Sequence, residues 1–239
     1  MALTLLQVAQ LVSAIPIFLA GMDYLATLLL RGSGPTSLNK TSTSPLLIIL
    51  PFRDEESTLP KSLPPILEYI KTNNASRIIL VDSKSTDNSR VEVLELISRQ
   101  GKFNQEPSIL TSSSGGKCAA LNLAMDSRKY GEQVLIVDSD VIVSSSGIDI
   151  LREILMDDSI GSVSGLETIE QNSTRFSKSY KSRINKVRSL KSTSESSIVL
   201  EGSMLMFDPD RIGWVRFDER INADDAQISI HSIFQDIGA

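Results

Sequence analysis

Asp138-Ser139-Asp140 directly follows the apolar run Val134-Leu135-Ile136-Val137. Two carboxylates two residues apart, where a strand ends and the chain turns, can both reach one cation. A divalent ion held this way also grips a diphosphate and neutralises charge on a departing phosphate. The same pattern is equally read as a solvated acidic turn, so the pair needs company before it means a metal site. Asp224-Asp225 is a second acidic pair. A carboxylate in such a pair is a candidate general base. The alternative is an N-cap, because acids are routine in a first helical turn.

Gly115-Gly116-Lys117 suggests a phosphate loop, but the Walker pattern needs Gly at 111 and Ser or Thr at 118, where Thr111 and Cys118 stand. A lysine that opens a helix after two glycines can still face a phosphate, since helix N-termini favour anions. A surface lysine after a loop is the plainer reading. In Asp82-Ser83-Lys84-Ser85-Thr86-Asp87 the leading acid ends an apolar run and could accept hydrogen bonds from a base or sugar. Capping of the next helix accounts for Ser85, Thr86 and Asp87.

These groups need a frame that brings them together. Four apolar runs, Leu46–Leu50, Ile78–Val81, Ser108–Leu110 and Val134–Val137, read as strands buried on both faces. Helical patterns cover Glu55–Lys71, Asp87–Arg99, Lys117–Arg128 and Gly147–Met156. The alternation predicts an α/β domain with a mostly parallel sheet flanked by helices, and ligands at the carboxyl ends of its strands. The polar clusters Arg53-Asp54-Glu55-Glu56, Asp82-Ser83 and Asp138-Ser139-Asp140 all fall at such ends. The chain has 239 residues, 41% apolar and 22% charged, an ordinary globular balance. With 24 basic against 29 acidic residues it lacks the basic footprint of a nucleic-acid binder. One cysteine and one histidine exclude an intramolecular disulfide and a Cys/His zinc cage. Any metal chemistry must use carboxylates, which select Mg²⁺ or Mn²⁺.

The ends of the chain read differently. Leu11–Leu30 is an apolar run with one charge, Asp23. It is long enough to span a bilayer, and the predicted anchor covers residues 1–31. Arg31 and Lys40 follow it, which places the rest of the chain on the cytoplasmic side. Residues 32–45 form a polar linker, and the domain occupies 46–239. Arg175–Lys191 holds seven basic residues and no acid, with Phe176, Tyr180, Ile184, Val187 and Leu190 on one stripe. This basic amphipathic helix packs its stripe on the sheet or lies on an anionic membrane near a lipid-linked acceptor.

Taken in order, the motifs resemble family 2 of the GT-A glycosyltransferases, from about Leu46 to Gly238. Leu50-Pro51-Phe52-Arg53-Asp54-Glu55-Glu56 is similar to the family's Pro-x-x-Asn-Glu-Glu, with Asp54 in place of Asn. Val81-Asp82-Ser83-Lys84-Ser85-Thr86-Asp87 resembles Val-Asp-Asp-x-Ser-x-Asp, with Ser83 in place of the second Asp. Gly116-Lys117-Cys118-Ala119-Ala120-Leu121-Asn122 resembles Gly-Lys-x-x-Ala-Leu-Asn. Gly202–Phe207 resembles the strand at the acceptor side, and Ala223-Asp224-Asp225 the Glu-Asp motif that carries the base. The resemblance implies an inverting, metal-dependent transferase acting on a nucleotide-diphosphate sugar donor. Pro51, Arg53 and Glu55 would line the nucleotide pocket, and Asp82 would contact the base. Lys117 would approach the diphosphate or base. Asp138 would sit near the ribose or sugar and the metal, and Asp140 would bind the metal. Gly202 would border the acceptor, Asp225 would be the catalytic base, and Asp224 would replace the family's Glu. The acceptor would be a carbohydrate or a lipid-linked molecule.

Two features set further expectations. The Gln-x-x-Arg-Trp motif of processive members is absent, and the chain ends fourteen residues after Asp225. The expectation is a domain whose C-terminal part is missing, or a catalytically silent, membrane-tethered fragment that binds the donor. A haloacid-dehalogenase-type phosphatase, with Asp138 as nucleophile, is the remaining alternative for the Asp-x-Asp.

Overall fold

Residues 42–165, 200, 202–213, 216–221 and 223–236 are described by the structure, a computed structural model. They are built on one six-stranded sheet. Its strands are β1 (Leu46–Phe52), β2 (Ser76–Asp82), β3 (Ser108–Thr111), β4 (Gln133–Val137), β5 (Ser162–Ser164) and β6 (Met204–Phe207). The order is β3-β2-β1-β4-β6-β5. The first four run parallel, while β6 is antiparallel to both β4 and β5. The predicted α/β frame, a mostly parallel sheet flanked by helices, is therefore present.

All seven residues of β1 are buried, and successive side chains enter opposite cores. Leu46, Ile48, Leu50 and Phe52 pack with helices α1 (Leu59–Thr72), α2 (Ser89–Gln100) and α4 (Ser145–Ile154). Leu47 and Ile49 face α3 (Lys117–Met125) and α5 (Asp224–Asp236) through Cys118, Leu121, Ala124 and Ile228. Each fully buried Leu or Ile contributes about 1.5–3 kcal/mol. A continuous apolar run is what a strand covered on both faces requires.

Helix α1 begins at Leu59, four residues later than its pattern predicts. Glu55–Thr58 forms a turn instead, with Glu55 O accepting from Thr58 N and Leu59 N. Pro64 and Pro65 lie inside α1 and remove two backbone donors. Burial of Leu59, Leu63, Ile66, Leu67 and Ile70, none more than 2% exposed, offsets the loss. Helix α4 starts two residues earlier than expected because Ser144 caps it, its hydroxyl accepting from Gly147 N at 3.1 Å. The last residues of the predicted linker are part of the fold. Pro45 O accepts from Gln133 N, and Ser44 O accepts from buried Arg152 at 2.6 Å.

At the amino end of the sheet, Arg77 and Glu132 join across β1 in a bidentate pair of 2.6 and 2.8 Å. Lys129 N adds a third hydrogen bond to Glu132. Burial opposes ionisation of Glu132, but these donors outweigh it and hold its pKa below the usual carboxylate range. A depressed carboxylate stabilises the fold above its unfolded pKa, about 4.3, and loses that contribution as pH falls through the folded value. Glu132→Gln should therefore cost about 3 kcal/mol at pH 7, the scale for breaking a buried pair. Melts should show a fall in Tm of about 6–12 °C that narrows as pH drops below about 4. A gap unchanged by acid would assign the loss to packing.

Among the described residues no helix is long and apolar enough to cross a membrane. The predicted anchor at Leu11–Leu30 and the basic helix at Arg175–Lys191 lie outside the described residues.

Candidate active site

The chain leaves β1 toward β2 and β3 on one side, then returns to place β4 on the other. At such a reversal the loops after neighbouring strands diverge and open a crevice at the carboxyl ends. Arg53, Asp82 and Asp138 stand at or just beyond the ends of β1, β2 and β4, so the sheet brings the predicted clusters to one rim.

The loops after β1 and β2 are laced together. Asp54 has φ 55° and Lys84 φ 62°, a left-handed conformation uncommon outside glycine. Asp54 holds it by accepting from Thr86 N at 2.6 Å and Thr86 Oγ1 at 3.1 Å, while Asp54 N donates to Ser85 Oγ. Glu55 N donates to Ser89 Oγ and Glu56 N to Asp87 Oδ2, and Asn88 N returns a bond to Glu56. The Asp54 side chain acts purely as an acceptor, which explains why an acid can stand where the family has Asn; the Thr86 hydrogen bonds lower its pKa. Ser85 and Thr86, expected to cap α2, serve this lacing instead. Asp87 joins the lacing and also accepts from Ser89 N at 2.9 Å, while the cap position is held by Asn88, whose side chain makes no capping bond.

The predicted nucleotide-pocket residues divide. Arg53 is exposed at the rim, its guanidinium 3.5 Å from where a side chain at Gly115 would begin. Pro51 is buried within β1 opposite Val81 and shapes the wall. Glu55 is half-buried and accepts from the Thr58 hydroxyl. Asp82 is 5% exposed, with Oδ1 accepting from Ser85 N at 2.8 Å and Oδ2 3.9 Å from Arg90 Nη1. Ser83 has a role its type alone did not suggest. Its hydroxyl accepts from Gly116 N at 3.1 Å and lies 3.3 Å from Gly116 O. Gly116 has φ 115° and ψ 148°, a region open essentially to glycine, and this lets the chain turn straight into α3.

Lys117, the first residue of α3, links the two acidic pairs. Its Nζ lies 2.6 Å from Asp138 Oδ1 and 2.9 Å from Asp224 Oδ2. Both contacts are ion pairs, and buried Asp224 Oδ2 has no further hydrogen-bond partner among the described residues. Burial opposes the charge on Lys117, but the two carboxylates outweigh it and raise its pKa. Burial raises the pKa of Asp138 despite Lys117, with Asp224 and Asp140 adding to the rise. The expected approach of Lys117 to a diphosphate is thus, in this structure, a bridge between two acids.

Backbone contacts close the circuit. Asp138 N donates to Ser203 O at 3.0 Å, and Val141 N to Asp138 O, so residues 138–141 form a tight turn. Ser62 on α1 holds that turn through Ser139 O at 2.5 Å. Gly202, beside Ser203, packs on Asp225: a Cβ there would lie 3.3 Å from Asp225 Oδ2. Asp225 Oδ1 accepts from Ala226 N at 2.8 Å. Asp140 is exposed at the turn. Among the described residues no three Asp, Glu, His or Cys side chains converge tightly enough to cage an ion. Asp138 and Asp140 suit a hard divalent ion that completes its shell from substrate phosphates and water, as Mg²⁺ commonly does.

The family model of glycosyl transferase family 2 matches residues 47–211. No curated protein matches the chain. Among solved structures, the fold is similar to mannosyltransferase PcManGT from Pyrobaculum calidifontis in complex with GDP-Man and Mn²⁺. That match has TM-score 0.74 and 20% identity, and covers 92% of this chain and 61% of that one. It is also similar to S. aureus TarS 1–349 in complex with UDP-GlcNAc, with TM-score 0.59 and 15% identity, covering 80% of this chain and 54% of that one. The chain therefore spans less than two thirds of the length of either. These likenesses establish a shared α/β fold of the GT-A type. The matched region takes in 165 of 239 residues, including every motif from Pro51 to Gly202, and the chain belongs to glycosyl transferase family 2.

Proposed function

We propose that this chain is an inverting, metal-dependent glycosyltransferase that moves a sugar from a nucleotide-diphosphate sugar to an acceptor hydroxyl. The observation that carries this reading is Lys117, whose ammonium joins the Asp138 side of the rim to the Asp224-Asp225 side. Donor-side and base-side carboxylates then share one rim, as transfer requires. Donor class is supported by the relatives captured with GDP-Man and with UDP-GlcNAc.

Asp225 accepts the acceptor's hydroxyl proton at Oδ2, because Oδ1 is already engaged by Ala226 N. The acceptor oxygen bonds to the anomeric carbon as the bond from that carbon to the diphosphate oxygen breaks on the opposite face, so configuration inverts. Lys117 and the N-terminus of α3 favour the negative charge left on the diphosphate. Asp140 and Asp138 are the residues that would hold Mn²⁺ or Mg²⁺, which supplies further neutralisation of the leaving diphosphate when bound. Arg53 flanks the nucleotide, and Gly202 leaves room beside the base for the acceptor. The acceptor is a polysaccharide, a lipid or a glycolipid. The apolar run Leu11–Leu30 supports a membrane anchor, with the domain on the cytoplasmic side.

Thermal melts with a panel of nucleotide-diphosphate sugars and Mn²⁺ test the reading. A donor at about 100 times its Kd adds about 2.7 kcal/mol, or about 5–10 °C. Asp140→Ala should lose the Mn²⁺-dependent part of that shift; an equal shift in both proteins removes Asp140 from the metal site. Transfer or donor hydrolysis by the chain excludes a silent fragment. The phosphatase alternative is set aside, since Asp138 follows the fourth strand of a family 2 domain and pairs with Lys117.

A further inference from the structure

The segment ahead of the acidic dyad is gripped twice by side-chain amides. From α3, Asn122 Nδ2 donates to Phe217 O and Asn122 Oδ1 accepts from Phe217 N, both at 2.9 Å. From α5, Gln227 Nε2 donates to Asp218 O at 3.3 Å and Gln227 Oε1 accepts from Asp218 N at 2.7 Å. Each side chain satisfies both the N–H and the C=O of one residue, and the two residues are consecutive. A third tie lies at Ile221 O, which accepts from Gln227 Nε2 and from Cys118 Sγ, each at 3.3 Å. Asn122 is 4% and Phe217 2% exposed, so a lost amide strands buried peptide groups.

Packing alone holds the start of α5 weakly. From Asp224 to His231, Ile228 is the one fully buried large apolar side chain, while Ile230 is 50% exposed. Ser229 adds one tie, accepting from Leu200 N and donating to Asp225 O. The amide clamps connect α5 to α3, whose first residue, Lys117, holds Asp224.

We infer that Asn122 and Gln227 are positioning residues, which grip Phe217-Asp218 from α3 and α5 and thereby fix Asp224-Asp225 opposite Lys117. This rests on the reading of Asp225 as the base. Neither residue touches the reacting atoms; each acts through where the dyad sits, and small displacements of a catalytic group cost up to about 100-fold in rate.

Asn122→Ala, Gln227→Ala and the double variant test it, with two measurements on the full chain. Amide hydrogen exchange should quicken over 216–230 in each, with strand 76–82 unchanged. The donor Kd with Mn²⁺ should stay within about threefold of wild type while kcat falls about 10- to 100-fold. The double variant should lose no more than the worse single one, because either change releases the same unit. Losses assayed well below each variant's melting point separate positioning from unfolding, and half-buried Gln227→Ala carries the test if Asn122→Ala does not fold. Unchanged exchange over 216–230 overturns the clamp, as does unchanged kcat or a fully additive double loss. If wild type itself moves no sugar, the transferase reading fails, and the exchange pattern alone decides whether the clamp holds the dyad.

Discussion

Asp225→Asn should keep its Mn²⁺-dependent affinity for the donor and lose about three orders of magnitude in transfer rate. General-base catalysis contributes about 10²- to 10⁴-fold, and a thousandfold corresponds to about 4 kcal/mol of barrier. The substitution is close to isosteric. Its amide oxygen can still accept from Ala226 N, and its bulk still fits against Gly202. What disappears is the ability to take a proton. Asp224→Asn is the informative contrast. Asp224 is 8% exposed and faces Lys117, so its loss should weaken the fold and shift the dyad as well as slow the reaction. Initial rates with a fixed donor and acceptor, alongside donor titrations, separate the two. If Asp225→Asn transfers sugar within tenfold of wild type, the proton goes elsewhere and Asp224 becomes the base to test.

Lys117→Met should be the most destabilising single change at the rim. Methionine keeps much of the apolar stem but leaves Asp138 and Asp224 without their shared counter-charge. Breaking a buried pair costs about 3–5 kcal/mol. Partial exposure of Asp138, 32% for its side chain, reduces this to about 2–4 kcal/mol, or about 5–15 °C in Tm. The pH dependence has a definite sign. Lys117 has a raised pKa, so its contribution is fully present below the unfolded value of about 10.4 and is lost as pH rises through the folded one. The deficit of the variant should therefore vanish in strong alkali. It should also shrink in acid, because burial already raises the pKa of Asp138 and loss of Lys117 raises it further. Melts of both proteins from pH 4.5 to pH 8 test this. A constant gap would mean that lost packing of the lysine stem, rather than unpaired charge, sets the effect.

Much of this protein is visible in local pattern. The four parallel strands are apolar runs that stop at polar clusters, since a strand covered on both faces needs apolar residues on each and its exit loop must be solvated. Leu46–Phe52 and Ser76–Asp82 extend the predicted runs by one or two residues at the ends, where burial continues into Pro51, Phe52 and Ser76. Helix starts were less legible. Glu55–Thr58 looks helical by composition, yet the N–H groups of Glu55 and Glu56 are claimed by Ser89 and Asp87, at and just before the start of α2 and more than thirty residues away. Strand β5, three residues of Ser-Val-Ser, carries no periodic signal and exists because β6 offers it an edge.

The motifs of the rim could be picked out residue by residue, because each is a short run with a characteristic type at each place. Their partners could not. Asp138, Lys117 and Asp224 each suggest a role alone, but that one ammonium serves both acids depends on α3 and α5 packing on the same face of the sheet. Asn122 lies 95 residues from Phe217, and an asparagine within a helix carries no mark of the peptide it will grip. Side-chain type and periodicity act over a few residues and are written along the chain. Which charges neutralise each other, and which amide holds which backbone, follow from pairings that form when the sheet order β3-β2-β1-β4-β6-β5 closes and burial makes every unpaired polar group costly.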